Sequence, residues 1–134
     1  MLLTDTEGVP MGVTVTSASP HEVKLIEPLL DSNQVDGKES KRLVYDRAAD
    51  SKELKKRLKD AGIDLICPPV NRRNQKPRRM SKRDRKHYQH RWKIERTIGW
   101  LKHFRRLTTR WEYLPELHLA FWQLASMFTI LRGL

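Results

Sequence analysis

Four residues with ionisable side chains stand at spacings that suit one face of a helix: Tyr88, Arg91, Glu95 and Lys102. At about 100° per residue they fall within a sector of about 60°. Glu95 is the only acidic residue between Arg85 and Arg110, so this face would present one carboxylate among cations. Two interpretations are open. Either Glu95 takes part in chemistry beside phosphate-binding groups, or Arg91 and Glu95 form a surface ion pair, which stabilises a helix by roughly 0.2–0.5 kcal/mol.

Asp46 is the second candidate, because it ends a predicted strand over residues 42–46. Residues at the carboxyl ends of parallel strands line ligand crevices, although Asp46, like Asp50, could instead cap the turn that follows. If Asp46 lay near Glu95, their mutual repulsion would require a cation between them. Oxygen ligands and a phosphate substrate favour Mg²⁺ or Mn²⁺. Two such ions activate an attacking hydroxyl and stabilise the leaving oxygen.

The positive charge of the chain is concentrated in one block. The 134 residues carry a formal net charge of +11, and residues 71–110 hold 16 Lys and Arg residues against Asp84 and Glu95 alone. Such a block is the electrostatic footprint of a polyphosphate partner such as DNA or RNA. The alternative is a solvated basic face. Within the block, residues 71–83 have dense positive charge without apolar periodicity, which predicts an exposed basic loop.

The elements that must position these residues alternate between strand and helix, which predicts the α/β class. Residues 2–5 and 11–17 are predicted as a hairpin with a turn between them. Strands at residues 42–46 and 64–67 flank a short amphipathic helix. This pattern predicts two parallel strands joined by a helical crossover.

Two helices are predicted in the C-terminal part. The first covers about residues 84–107 and has an apolar face formed by Ile94, Ile98, Leu101 and Phe104. The second, residues 116–131, is apolar on nearly all sides, which is typical of a buried helix. The tryptophans are interpreted as core residues, with base stacking as the alternative: Trp92, Trp100, Trp111 and Trp122.

The pattern Tyr88-x2-Arg91-x3-Glu95-x6-Lys102 matches in full the Tyr-Arg-Glu-Lys signature of bacterial insertion-sequence DDE transposases. Residues 92–107 resemble the helix that carries the glutamate in this family. Residues 43–50 are similar to its second-Asp segment, in which Ala48-Ala49 replace the more usual Gly-Tyr. Residues 66–74 resemble the strand and basic loop that come next. The resemblance covers nearly the whole chain.

The resemblance implies a partial RNase H-like fold, a mixed sheet with helices, in which three acids bind two divalent ions. Asp46 would be the second acid and Glu95 the third, both as catalytic residues and as ligands of Mg²⁺ or Mn²⁺. Arg91 and Lys102 would contact DNA phosphates, and Tyr88 would position the strand. The family cuts DNA at transposon ends with water and then uses the freed 3′-hydroxyl on target DNA. Such chemistry rests on geometry and charge neutralisation.

The resemblance also places the family's first Asp on a strand that precedes this chain. Asp5, at the hairpin, is predicted to be a turn residue rather than a substitute. We therefore expect the C-terminal part of a catalytic domain, a truncated or split part that is inactive and poorly stable by itself. It would need an upstream transposase polypeptide or a homo-oligomer. The alternatives are a nonenzymatic basic nucleic-acid-binding module and an interaction fragment that pairs with a full-length transposase.

The remaining chemically reactive side chains carry weaker signals. His87 and His90 lack an acidic or Cys partner at metal-ligand spacing, so DNA contact or plain surface is the favoured interpretation. Cys67, the only cysteine, is predicted to be buried and inert. The chain shows no signal peptide and no apolar run of membrane-spanning length, so a cytoplasmic location is expected.

Overall fold

A computed structural model of the chain describes residues 1–17, 19–33, 40–71, 73 and 76–133. The described elements confirm the α/β class: short strands form two sheets of two strands each, accompanied by α-helices and 3₁₀ turns. The chain divides into two compact units. The first unit combines Met1–Asp36 with Trp92–Leu134, and the second is Gly37–Arg91.

The first unit opens with the predicted hairpin. Strand β1 (Leu2–Thr4) pairs antiparallel with β2 (Pro10–Val13). The Asp5 carboxylate accepts hydrogen bonds from the Glu7 and Val9 amides at 2.8 and 3.0 Å, which confirms its prediction as a turn residue. A 3₁₀ turn leads into helix α1 (Ile26–Asp31), which buries apolar side chains against the hairpin.

The second unit contains the predicted strand–helix–strand pattern. Strands β3 (Arg42–Val44) and β4 (Asp64–Ile66) pair in parallel, and helix α2 (Lys52–Asp60) connects them. The helix begins at the Ser51 cap, whose hydroxyl accepts the Leu54 N–H, and it buries Leu54 and Leu58 completely or nearly so. The parallel pairing expected from the sequence is confirmed.

The prediction of a single helix over residues 84–107 is wrong. The structure forms α3 (Lys82–Tyr88), a 3₁₀ turn over Gln89–Arg91, α4 (Trp92–Leu101) and α5 (Arg105–Thr108). Because a 3₁₀ turn has about 3.0 residues per turn, one helical wheel at 100° per residue no longer describes the four signature residues. The basic loop predicted over residues 71–83 ends two residues earlier, at Ser81, just before α3 begins. Positions 72, 74 and 75 of that loop lie outside the described residues.

The last helix, α6 (Pro115–Leu131), begins and ends within one residue of the predicted bounds. Its predicted burial is wrong. One side packs on Leu101 and Leu107 through Ala125, Phe121 and Trp122. The other side exposes a set of large apolar side chains: Leu117, Leu124, Met127, Phe128, Ile130 and Leu131. Among the helices that the structure describes, none has the length and apolar character needed to cross a membrane.

Candidate active site

Asp46 lies just beyond the end of β3. The Tyr45 N–H donates to the Ile66 carbonyl at 2.9 Å, so the parallel ladder continues up to Tyr45, the residue before Asp46. The half-buried Asp46 side chain caps the next 3₁₀ turn, because its Oδ1 accepts the Ala48 N–H at 2.8 Å. Ala49 is fully buried in this turn. The capping interpretation is thereby confirmed, and the Oδ2 atom takes no part in that bond.

Glu95 is exposed on α4, with Lys102 exposed seven residues later, just past the end of the helix. Two helical turns separate them, so they share one face. The opposite side of α4 is buried through Thr97 and Leu101. The sequence prediction that the helix packs on one face and presents Glu95 on the other is therefore confirmed.

The hairpin turn contacts residues of α4 that come just before and just after Glu95 in the sequence. The Thr6 carbonyl accepts from Lys93 Nζ at 2.7 Å, and the Glu7 carbonyl accepts from Arg96 at 2.9 Å. The Thr97 hydroxyl lies 2.7 Å from the Gly8 carbonyl and donates to it within a buried contact. We missed these contacts from the sequence, because they join residues almost ninety positions apart.

Gly8 is the residue that permits this approach. Its φ of +91° lies in the region that favours glycine. A Cβ placed there would stand 2.9 Å from Thr97 Oγ1 and 3.4 Å from the Lys93 carbonyl oxygen. The turn can therefore lie directly against the helix that carries Glu95 only while this position has no side chain.

Tyr88 and Arg91 lie in the second unit. Tyr88 is the last residue of α3, Arg91 closes the 3₁₀ turn, and both side chains are half-buried. The structure thus brings Glu95 and Lys102 together on one helix face, and Tyr88 and Arg91 together at one helix–turn junction. Asp46 belongs to the same unit as this junction.

A buried carboxylate in the second unit has a role that the sequence did not show. The Asp50 side chain is only 3% exposed and contacts Lys55 Nζ at 2.6 Å, the Val70 N–H at 2.7 Å and the Arg78 guanidinium at 2.5 Å. Burial alone would raise the pKa of Asp50, but the hydrogen bonds and charges of these donors lower it below its ordinary value. The sequence offered Asp50 and Ser51 as alternative caps of α2, and Ser51 is the cap.

The nearby Cys67 is buried, as predicted. Its burial raises the pKa of the thiol, even though the charge of Lys55 acts in the opposite direction. A raised pKa keeps the thiol protonated and weakly nucleophilic at neutral pH. The cysteine therefore has the properties of an inert core residue.

Three of the four tryptophans are exposed, so their interpretation as core residues is wrong. Trp92, Trp100 and Trp111 expose 51%, 38% and 76% of their surface. The Arg96 guanidinium lies 5.0 Å from the Trp92 ring centroid and 4.7 Å from that of Trp100, so one cation stacks on two indoles along α4. Only Trp122 packs against the core, where it donates to His118 Nε2 at 3.1 Å.

Both candidate acids offer carboxylate oxygens, which are the donors that Mg²⁺ and Mn²⁺ prefer. Asp46 retains Oδ2 beside its capping bond, and Glu95 is exposed. In the described part of the chain, no group of three or more His, Cys, Asp or Glu side chains is placed to hold a metal ion. His87 Nε2 instead lies 2.7 Å from the Arg42 guanidinium, a cationic neighbour.

Comparison of the sequence with known proteins identifies a family. A family model described as a transposase DDE domain matches residues 1–130. The "Putative transposase for insertion sequence element IS402" of Burkholderia cepacia is 33% identical over 130 residues, which cover 92% of this chain and 57% of that protein. The chain thus spans little more than half the length of this relative. No solved structure matches the chain. Because the family model matches nearly the whole chain, the chain belongs to the transposase DDE domain family.

Proposed function

We propose that this chain takes part in DNA cleavage and strand transfer at insertion-sequence ends, as part of an RNase H-like DDE catalytic domain. Asp46 serves as the second acid and Glu95 as the third. The observation that supports this most strongly is the placement of Glu95. It is exposed on a helix whose opposite side is fixed by core packing and by the hairpin turn, within the basic block. A carboxylate held outward on a rigid element is suited to chemistry on a bound substrate.

The cations of the block supply the affinity for DNA. Lys and Arg side chains that neutralise phosphates release counterions, and this electrostatic term dominates nonspecific binding. Arg91 and Lys102 contact phosphates near the scissile bond, and Tyr88 positions the strand. The exposed indoles of Trp92 and Trp100, joined by Arg96, offer flat surfaces on which bases stack.

The proposed cofactor is Mg²⁺ or Mn²⁺, which oxygens of Asp46, Glu95 and one further acid would hold. When bound, a pair of such ions activates the attacking hydroxyl and stabilises the leaving oxygen. The side chains of this chain orient the phosphate, neutralise its charge and hold the strand in line.

A strand-cleavage assay with Mn²⁺ on element-end DNA tests the proposal, with the chain alone and mixed with a full-length transposase of the same element. We expect Glu95→Gln to abolish the contribution of the chain. Glu116→Gln, an exposed glutamate on α6, is the matched control and should leave that contribution unchanged. Isothermal titration of Mn²⁺ gives a second readout, in which Glu95→Gln should weaken ion binding. Cleavage and ion binding that survive Glu95→Gln would remove this residue from the mechanism.

The exposed face of α6 favours a second candidate, an interaction fragment that pairs with a transposase polypeptide or with another copy. Six large apolar side chains on one helix form the kind of patch that marks protein interfaces. Co-purification with a full-length transposase tests this candidate. Leu124→Glu, on the exposed face, should abolish the pairing, whereas Glu53→Gln on α2 should leave it intact.

A further inference from the structure

We propose that Asp50 and Arg78 are positioning residues. They hold the basic loop against the rest of the second unit, so that the neighbouring cations contact nucleic-acid phosphates from fixed positions. This inference rests on the proposed nucleic-acid function. It assigns Asp50 a role outside the three acids of a DDE site, and it makes Arg78 a structural cation rather than a phosphate contact.

The contacts join three separate parts of the unit at one carboxylate. Oδ1 of Asp50 binds Lys55 on α2, and Oδ2 accepts both the Val70 amide and the Arg78 guanidinium. Arg78 also donates to the Val70 carbonyl at 3.2 Å, and its backbone N–H donates to the Asn71 side chain at 2.8 Å. The chain therefore leaves this cluster at residues 70–71 and returns to it at residue 78.

The basic loop needs such an anchor because of its own charge. Residues 71–86 contain nine Lys and Arg residues and one acid, Asp84. Like charges at this density repel each other and extend a chain segment. The Asp50 carboxylate opposes that tendency at Val70, just before the loop begins, and at Arg78 within the loop. The ion pair between Arg83 and Asp64, at 2.9 Å, joins two side chains that are more than half exposed, so it contributes little to holding this region.

The environment of Asp50 makes its contacts specific. Its side chain is 3% exposed, and charge-assisted hydrogen bonds of this kind are stronger than neutral ones. Removal of the carboxylate charge would leave Lys55 and Arg78 close together without their shared counterion. Arg79, the next residue along the chain, is exposed and serves as a matched control.

The test measures affinity for a short mixed-sequence DNA duplex over a series of salt concentrations, together with amide hydrogen exchange at Val70. Asp50→Asn adds one positive charge to the protein, so charge alone would strengthen DNA binding. The proposal predicts the opposite sign: affinity falls at least threefold and Val70 exchange accelerates. Arg79→Gln should reduce the log–log salt slope by about 0.9, the effect of one lost phosphate contact, with Val70 exchange unchanged.

Arg78→Lys keeps the charge but loses the planar guanidinium, so it should weaken DNA binding and accelerate Val70 exchange even if Asp50→Asn fails to fold. Val70 exchange that is unchanged in these variants would overturn the anchor. If Val70 exchange accelerates in these variants but their DNA affinity equals or exceeds that of the wild type, the anchor would have no role in positioning the cations for DNA. Wild-type binding that does not respond to salt would instead contradict the proposed nucleic-acid function, while the exchange data would still test the anchor.

Discussion

The contact between Thr97 and Gly8 predicts how strongly the hairpin turn holds the helix that carries Glu95. Thr97→Val replaces the hydroxyl with a methyl group of similar size. The Thr97 side chain is fully buried, and Gly8 is buried as well, so the Gly8 carbonyl would lose its donor without access to water. A buried acceptor left without a partner costs about 1–3 kcal/mol. We expect Thr97→Val to lower the free energy of unfolding by that amount.

Urea unfolding followed by tryptophan fluorescence measures this change, and amide exchange at Val9 measures opening of the turn. Thr97→Ser is the control, because it keeps the hydroxyl and removes one methyl group, worth about 0.8 kcal/mol. Thr97→Val should therefore destabilise more than Thr97→Ser and accelerate Val9 exchange more. Equal stability of Thr97→Val and the wild type, with unchanged Val9 exchange, would show that this hydrogen bond does not fix the turn on α4.

Three further predictions follow from individual side chains. Gly8→Ala should destabilise the first unit by more than 1 kcal/mol in the same urea assay, since φ is +91° and the new Cβ would meet Thr97 Oγ1 at 2.9 Å; a wild-type midpoint would contradict this. Because the pKa of Asp50 is lowered on folding, its carboxylate contributes stability at pH values above the ordinary pKa near 4, and this contribution is lost as the pH falls through the lowered value. Urea midpoints from neutral to acid pH should show this loss in the wild type and a shallower loss in Asp50→Asn; identical slopes would exclude Asp50 as the cause. Trp100→Leu should weaken single-stranded DNA binding about fivefold or more, and Phe128→Leu on α6 should not, as measured by fluorescence anisotropy; equal effects would argue against stacking on the indole.

Local sequence signals predicted the elements well where one interaction dominates. The parallel pairing of β3 and β4 follows from two short apolar runs around a capped helix, and the structure has that pairing. Glu95 was predicted to lie opposite an apolar helix face, and α4 places it there. In both cases the periodicity of a short segment determines which side chains are buried.

The features that could not be predicted depend on contacts between distant residues. The turn at Gly8 meets α4 through residues far along the chain, and no local pattern marks that approach. The apolar composition of α6 indicated burial, but composition does not tell how many sides of a helix find a partner. The position of Asp50 just before α2 suited a helix cap. Its ion pair with Arg78 depends on the chain returning to it 28 residues later.

We propose that Asp46 and Glu95 bind the same divalent ions. Iron-directed cleavage of the polypeptide, with Fe²⁺ in place of Mg²⁺, tests it most directly, because hydroxyl radicals formed at the bound ion cut nearby backbone. We expect cuts beside both Asp46 and Glu95, competition by Mg²⁺, and loss of both cuts in Asp46→Asn. Cuts beside only one of the two residues, or cuts beside Glu95 that persist unchanged in Asp46→Asn, would contradict it.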